Sequence, residues 1–489
     1  MTLLSWRLAF LLATAAVPLI NGRVTVSTQP AQTMNGIGAS GAWWPNNLGQ
    51  YPESVRSHVA DLLFSQNHLG LSSYRYNLGG GGVWVGTPSR ATETFFVSPG
   101  VYNWSADAGG VYFLRKAAQF RVPQLTLFVN SAPPAFTTNN RSCAGGIVDA
   151  LIPDYAKYIA DVVTHFKDEG VIFTHISPMN EPDSSFGTND TPCGQEGMMV
   201  TPSQRPAVIN ALRSALDNAK LHTVQIISDE TSSAQQLLSE MPTWLPAAAP
   251  SLGAFCHHQY SFPSDSLVEQ IPAMVNELAP GKETWFSEIC CFKAINSSLQ
   301  HTDPAAPQTF GAGYQPGMVG ALKLGNMLRQ SFAVIGDVHF DWWTALSDGI
   351  GCDPVANVTC IMADNENGYN DGLMYYDNRF ASNGNFAVYL TKRFHLVRHF
   401  THFVRIGAKR LPVDDLPNNV QGLASKDSKG GSLILMNMSP NTIPVDLSGV
   451  TSLGMFHSAV QTTASADWET IRKAVDAVPG LSITTVLFQ

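Results

Sequence analysis

Two glutamates stand where carboxyl chemistry is readily built. Glu181 follows Ser177-Pro178-Met179-Asn180, and Glu288 ends Trp285-Phe286-Ser287-Glu288. A carboxyl at the end of an apolar run is carried by a rigid element, and burial there shifts its pKa. Cleavage of a glycosidic bond requires such a pair. One carboxyl protonates the leaving oxygen while the other attacks the sugar carbon or activates water. Other residues at strand ends fit that chemistry. Asn180 can donate to a sugar 2-hydroxyl, Arg75 can keep Glu288 ionised, and Tyr260 can hydrogen-bond the same carboxylate. Trp43, Trp44, Trp342 and Trp343 offer apolar rings for sugar faces, and His258 a pocket wall.

Competing chemistries fare worse. Asp229 and Glu230 are the rival carboxylates, but they precede a helix expected to start near Ser232 and suit its N-terminus. Asp183 reads as a turn residue. His257 and His258 suggest a metal, yet there is no H-E-x-x-H helix and no second pair at ligand spacing, so they read as core or pocket-wall histidines. Gly36, Gly38 and Gly41 spell G-x-G-x-x-G, but the run continues into Trp43-Trp44-Pro45-Asn46-Asn47, a loop rather than the helix a pyrophosphate needs. Gly79–Gly82 serves either close backbone approach to a ligand or a tight turn. A G-x-S-x-G elbow and a P-loop are both absent from the sequence.

The elements that must position these groups alternate between short apolar runs and helix-like segments. Eight runs lie near Gly36–Ala39, Ser72–Tyr76, Gln124–Val129, Thr174–Pro178, Val224–Ser228, Ala254–His258, Thr284–Glu288 and Val338–Trp342. The clearest intervening helix is Asp154–Phe166, where Tyr155, Tyr158, Ile159, Val162, Val163 and Phe166 recur at steps of three and four. Ser54–Phe64, Val111–Phe120, Pro206–Ala219 and Met318–Phe332 are also compatible with helices. The pattern predicts an α/β fold, a (β/α)₈ TIM barrel over residues 34–401, with an open doubly wound sheet as the alternative. In such a barrel catalytic groups sit at the C-terminal ends of strands, where both glutamates fall. From residue 402 to 489 helical periodicity vanishes, and runs such as Leu433–Met438, Phe456–Gln461 and Ser482–Phe488 predict a sandwich-like all-β side domain. The N-terminal strand within residues 23–33 is expected to complete it.

The composition is globular, with 44% apolar and 14% charged residues, and the formal charge of −9 disfavours a nucleic-acid partner. A neutral polysaccharide meets no such barrier. Residues 1–22 read as a signal peptide whose apolar run, Leu8 to Ile20, is too short for a membrane span. Secretion agrees with N-glycosylation triplets at Asn103, Asn140, Asn189, Asn296, Asn357 and Asn437. Of seven cysteines, Cys352 and Cys360 could close a short loop and Cys143 and Cys193 a longer one. The odd count leaves a thiol unpaired, and connectivity stays open. No membrane anchor and no cofactor are expected, and the protein is expected to be a monomer.

At Met179-Asn180-Glu181-Pro182 and Trp285-Phe286-Ser287-Glu288 the chain resembles the retaining (β/α)₈ glycosidases, and more narrowly glycoside hydrolase family 30. Gly36-Ile37-Gly38-Ala39-Ser40-Gly41-Ala42-Trp43-Trp44 and Ser73-Tyr74-Arg75-Tyr76-Asn77-Leu78-Gly79-Gly80-Gly81-Gly82 are most similar to the fungal endo-β-1,6-galactanases. The resemblance implies a barrel with a side β-domain built from both chain ends. It implies Glu181 as acid/base, Glu288 as nucleophile, and Arg75, Asn180, Tyr260 and one of Trp342 or Trp343 around the sugar at the cleaved bond. It assigns nothing to the adjacent Cys290 and Cys291. The expected activity is cleavage of β-1,6-galactan side chains of arabinogalactan; a β-1,6-glucanase, a xylanase, a glucosylceramidase-like enzyme or a non-catalytic carbohydrate-binding protein are the alternatives.

Overall fold

The computed structural model describes residues 22–489; the candidate signal peptide lies outside them except for Gly22. Eight parallel strands close a barrel: Gly36–Gly41, Ser73–Leu78, Gln124–Val129, His175–Ser177, Gln225–Thr231, Ala254–His258, Glu283–Glu288 and His339–Trp342. They neighbour one another in chain order, and the eighth pairs with the first through Trp342 and Ala39. Helices between successive strands cover the outside, so the strands are buried on both faces and read as continuous apolar runs. Helix Ile152–Asp168 shows why the pattern works. Pro153 sits in its first turn, where no backbone donor is needed, and Tyr155, Tyr158, Ile159, Val162, Val163 and Phe166 are all buried. Each such side chain contributes about 1.5–3 kcal/mol on leaving water. Inside the barrel, Trp285 stacks on His339 with ring centroids 4.0 Å apart.

Strand five is longer than its apolar pattern indicates. It runs on through Asp229, Glu230 and Thr231, all buried. The following helix, Ala234–Ala248, is capped instead by Ser233, whose hydroxyl accepts from the Gln236 amide. Asp229 and Glu230 are therefore not capping residues.

The side domain is a seven-stranded sheet in the order Gln32–Thr33, Lys409–Leu411, Val420–Asp427, Gly430–Asn437, Ser482–Phe488, Phe456–Thr462, Asp467–Ile471. A second sheet places Arg23–Val26 between Val413–Asp414 and Asp446–Gly449. Strand alternation divides the side chains of Gly430–Asn437 between two cores. Leu433 and Leu435 pack with Val24 and Val486 in the outer core, whereas Ile434 and Met436 join the barrel's. Helix Lys392–Phe403 binds the two parts. Its buried His399 meets the Thr462 and Thr485 hydroxyls, and Phe403 stacks on Trp468.

Among the described residues, disulfides join Cys143 to Cys193, Cys352 to Cys360 and Cys290 to Cys291, and Cys256 is a buried free thiol. Five of the glycosylation triplets have exposed asparagines. The sixth does not: Asn437 is buried, and its amide donates to the carbonyls of Asn441, Val478 and Pro479.

Candidate active site

Arg75, on strand two, is the hub beneath the cleft: it is absent from the cleft lining and acts through its neighbours rather than around the sugar as expected. It is fully buried. One guanidinium nitrogen bonds a Glu288 oxygen and lies 3.3 Å from the Ser40 hydroxyl; another donates to Asn180 Oδ1 at 2.8 Å and pairs with Glu230 at 3.2 Å. The Phe128 ring closes over it at 3.7 Å. A buried guanidinium keeps its proton and calls for carboxylate counter-charge beside it.

Glu230 is the residue the sequence reading misplaced. It accepts from His258 Nε2 at 2.8 Å and from the Ser287 hydroxyl, in addition to Arg75. Burial pushes its carboxyl up, but Arg75 and His258 overcome that and hold it well below the usual carboxylate range. One clue was available: an arginine buried on an apolar strand calls for more than one carboxylate as counter-charge and hydrogen-bond acceptor.

His258, at the end of strand six, bridges the carboxylates. Nδ1 lies 3.1 Å from Glu181 and 3.8 Å from Glu288, while Nε2 bonds Glu230. Burial disfavours its charge, but the Glu288 carboxylate and hydrogen bonds to Glu181 and Glu230 raise its pKa to about 10. It is fully buried and acts behind the cleft surface, not as the substrate-facing wall expected of it. His257 is a core residue paired with Asp337.

Glu181 follows strand four with a left-handed φ of 43°, and its amide is fixed by the Glu230 carbonyl at 3.1 Å. Burial raises its pKa to about 7, His258 opposes, and the charges of Glu288 and Asp183 add to the rise. Glu288 receives the Tyr260 hydroxyl at 2.9 Å on the oxygen that Arg75 leaves free. One oxygen of Glu181, one of Glu288 and one His258 nitrogen lie within 4.8 Å of one another. That spacing suits a cation, but a protonated His258 presents N–H groups there rather than a lone pair. The arrangement is thus a protonatable carboxyl opposite a clamped carboxylate, across a gap one sugar carbon can occupy.

The cleft above has a volume of about 920 Å³, with Glu181, Asn180, Tyr260 and Glu288 in its lining. The tryptophans divide. Trp43 and Trp343 line the cleft, edge to face at 4.7 Å, with Arg90 over Trp43 at 4.2 Å. Trp44 and Trp342 do not reach it. Trp44 is buried against Phe113 and donates to the Ser40 carbonyl, while Trp342 faces the core and donates to the Asp371 carbonyl. Adjacent residues on an extended segment point to opposite sides, which separates Trp342 from Trp343. Gly80 and Gly82 turn their amides towards buried Glu196, so the glycine run is a turn wrapped on a carboxyl. Asp183 accepts from the Ser232 amide and hydroxyl and ties the loops after strands four and five together. Asn130, Phe310 and the Cys290–Cys291 disulfide also line the cleft, and no motif had marked them.

Residues 22–348 match the family described as O-Glycosyl hydrolase family 30. An exo-beta-1,6-galactobiohydrolase of Bifidobacterium longum subsp. longum is 24% identical over 90% of this chain; the chain spans 36% of that relative's length. The fold recurs in a conserved exported protein from Bacteroides fragilis (TM-score 0.74, 18% identity, 95% of this chain and 100% of that one). It recurs in the catalytic domain of xylanase C from Talaromyces cellulolyticus (0.68, 19%, 95% and 99%). An endo-beta1,6-glucanase is also similar (0.66, 15%, 96% and 95%).

Proposed function

Because the chain belongs to O-glycosyl hydrolase family 30, we propose that it is a secreted retaining endo-β-1,6-galactanase acting on the β-1,6-galactan side chains of arabinogalactan. The observation that carries the mechanism is the Glu181–Glu288 approach, with one oxygen of each within 4.8 Å. Carboxyls about 5–5.5 Å apart suit double displacement, whereas inversion needs about 6.5–9.5 Å to admit a water.

Glu288, held as a carboxylate by Arg75 and Tyr260, attacks the anomeric carbon. Glu181, protonated near neutral pH, passes its proton to the departing glycosidic oxygen. The product is a glycosyl ester on Glu288. Forming it removes the Glu288 charge, so Glu181 becomes a stronger acid and is left ionised. As a carboxylate it takes a proton from water, whose oxygen attacks the same carbon and releases Glu288. Asn180 spends its Oδ1 on Arg75, which leaves its amide N–H groups for the sugar 2-hydroxyl. Trp43 and Trp343 supply apolar ring surface.

The linkage rests on the likeness to fungal endo-β-1,6-galactanases and on the names of the galactobiohydrolase and the glucanase above. Disulfides and exposed glycosylation triplets support secretion. A monomer without resident cofactor is sufficient for this chemistry. The test is incubation with de-arabinosylated arabinogalactan, β-1,6-glucan and glucuronoxylan, with product sizing and NMR of the first-formed anomer. A ladder of β-1,6-galacto-oligosaccharides released with retained configuration is expected. Disaccharide alone refutes endo action, release from another polymer moves the substrate, and an inverted first product refutes the double displacement.

A further inference from the structure

Downstream of Glu288 the cleft wall becomes apolar in a way the catalytic scheme does not use. Cys290 and Cys291 are joined to each other, and both line the cleft. Cys291 adopts a left-handed φ of 57°. Its amide donates to the Asn370 carbonyl at 3.0 Å, and its own carbonyl accepts from Gly311 at 2.8 Å. Those bonds fix the base of an antiparallel hairpin, Phe292–Ala294 with Gln308–Phe310, in which Phe292 pairs with Phe310. The hairpin brings Phe310 to the cleft wall with 53% of its surface exposed, an unusual outlay for a large apolar ring. The ring meets Tyr260 edge to face at 5.8 Å, and the Tyr260 hydroxyl reaches both Glu288 and the Cys290 sulfur, the latter at 3.8 Å. Disulfide, Tyr260 and Phe310 thus form one continuous surface leading away from the nucleophile.

We propose that Phe310 and the adjoining Cys290–Cys291 disulfide form an apolar platform for the sugar ring next to the one at the cleaved bond. A hexose presents C–H groups on its faces and hydroxyls round its edge, so it needs an apolar surface under a face and polar groups at the rim. A disulfide offers such a surface without strong donors. Tethering adjacent residues also fixes the turn from which the hairpin springs, so the ring is presented in one place before sugar arrives.

The proposal rests on the glycosidase reading, and the experiment separates the two. In a Glu288→Gln background, which prevents turnover, calorimetry measures binding of β-1,6-galactotetraose, β-1,6-glucotetraose and xylotetraose. Phe310→Ala is expected to weaken the best-bound tetrasaccharide about threefold to tenfold, as loss of one aromatic contact does, and Phe310→Trp to retain affinity. The double variant Cys290→Ala/Cys291→Ala is expected to weaken binding similarly. Thermal unfolding checks that each variant is folded, and Phe310 is exposed enough for its truncation to be tolerated. Unchanged affinity in Phe310→Ala overturns the platform and leaves the galactanase reading standing. Preference for the glucan or xylan tetrasaccharide, with the Phe310 effect present, overturns the galactan reading and keeps the platform. A parent that binds none of the three overturns both.

Discussion

If Glu181 is the proton donor, turnover must follow its protonation. Its carboxyl is raised from 4.5 to about 7, first by burial and then by the Glu288 and Asp183 charges, against the pull of His258. With a pKa of about 7, the protonated fraction is roughly 0.9 at pH 6 and roughly 0.1 at pH 8, so kcat/KM should fall about tenfold between them. The assay is initial rate at low substrate across pH 5–9 on whichever polymer the enzyme cleaves. Replacing Asp183 by Asn removes one raising charge and should move the basic limb to lower pH. The same shift has a thermodynamic face. Folded Glu181 binds a proton more tightly than unfolded Glu181, so this contribution to stability is full below pH 4.5 and is lost as pH rises through about 7. About 3 kcal/mol is its upper scale at 1.36 kcal/mol per unit. A kcat/KM flat from pH 6 to 8, or a basic limb near 4.5, would refute the assignment of Glu181 as acid.

Glu288→Gln should lower kcat by at least about 10⁴-fold, as loss of a nucleophile does, while calorimetric affinity for oligosaccharide stays within a few fold. Glu230→Gln should destabilise the fold by about 3–5 kcal/mol in chemical denaturation, since it leaves Arg75 and His258 short of a buried counter-charge. It should also lower kcat more than it changes KM. The tryptophan pair should separate cleanly: Trp43→Ala raises KM with little change in unfolding temperature, whereas Trp44→Ala costs about 3–5 kcal/mol of stability. Equal effects of the two on KM would contradict their placement.

The sequence carried the barrel because its strands are buried on both faces and its helices on one, which writes two distinguishable periods. Gln124–Val129 and Ala254–His258 were legible to the residue. Strand five was cut short because Asp229-Glu230-Thr231 looks like a polar helix entrance. Only the tertiary fold reveals that Arg205 and Arg75 wait opposite those carboxylates. Glu181 and Glu288 stood out because each ends an apolar run. Local pattern cannot tell which face of the wall Trp43 or Trp44 takes, since the left-handed turn at Trp43, with φ 69°, decides it. Phe310 was invisible for a related reason: it owes its place to a hairpin anchored by the Cys291 turn, with no strand–helix period to mark it.

The short strand Arg23–Val26 ties the beginning of the described chain to its C-terminal region: the Arg23 guanidinium donates to the Ser448 carbonyl, 425 positions away. A ribosome adding about 5–20 residues per second takes roughly 20–85 seconds to cover that distance. Until Leu411 and the strands after it emerge, Val24 and Val26 lack the partners that cover them, although they are among the earliest of these residues to be synthesised and are buried in the finished molecule. The barrel can assemble strand by strand as it emerges, but the side domain must wait for the whole chain. Its outer sheet is a clasp that cannot close until Asp446–Gly449 emerges, and the main sheet waits longer still, for Ser482–Phe488 at its middle.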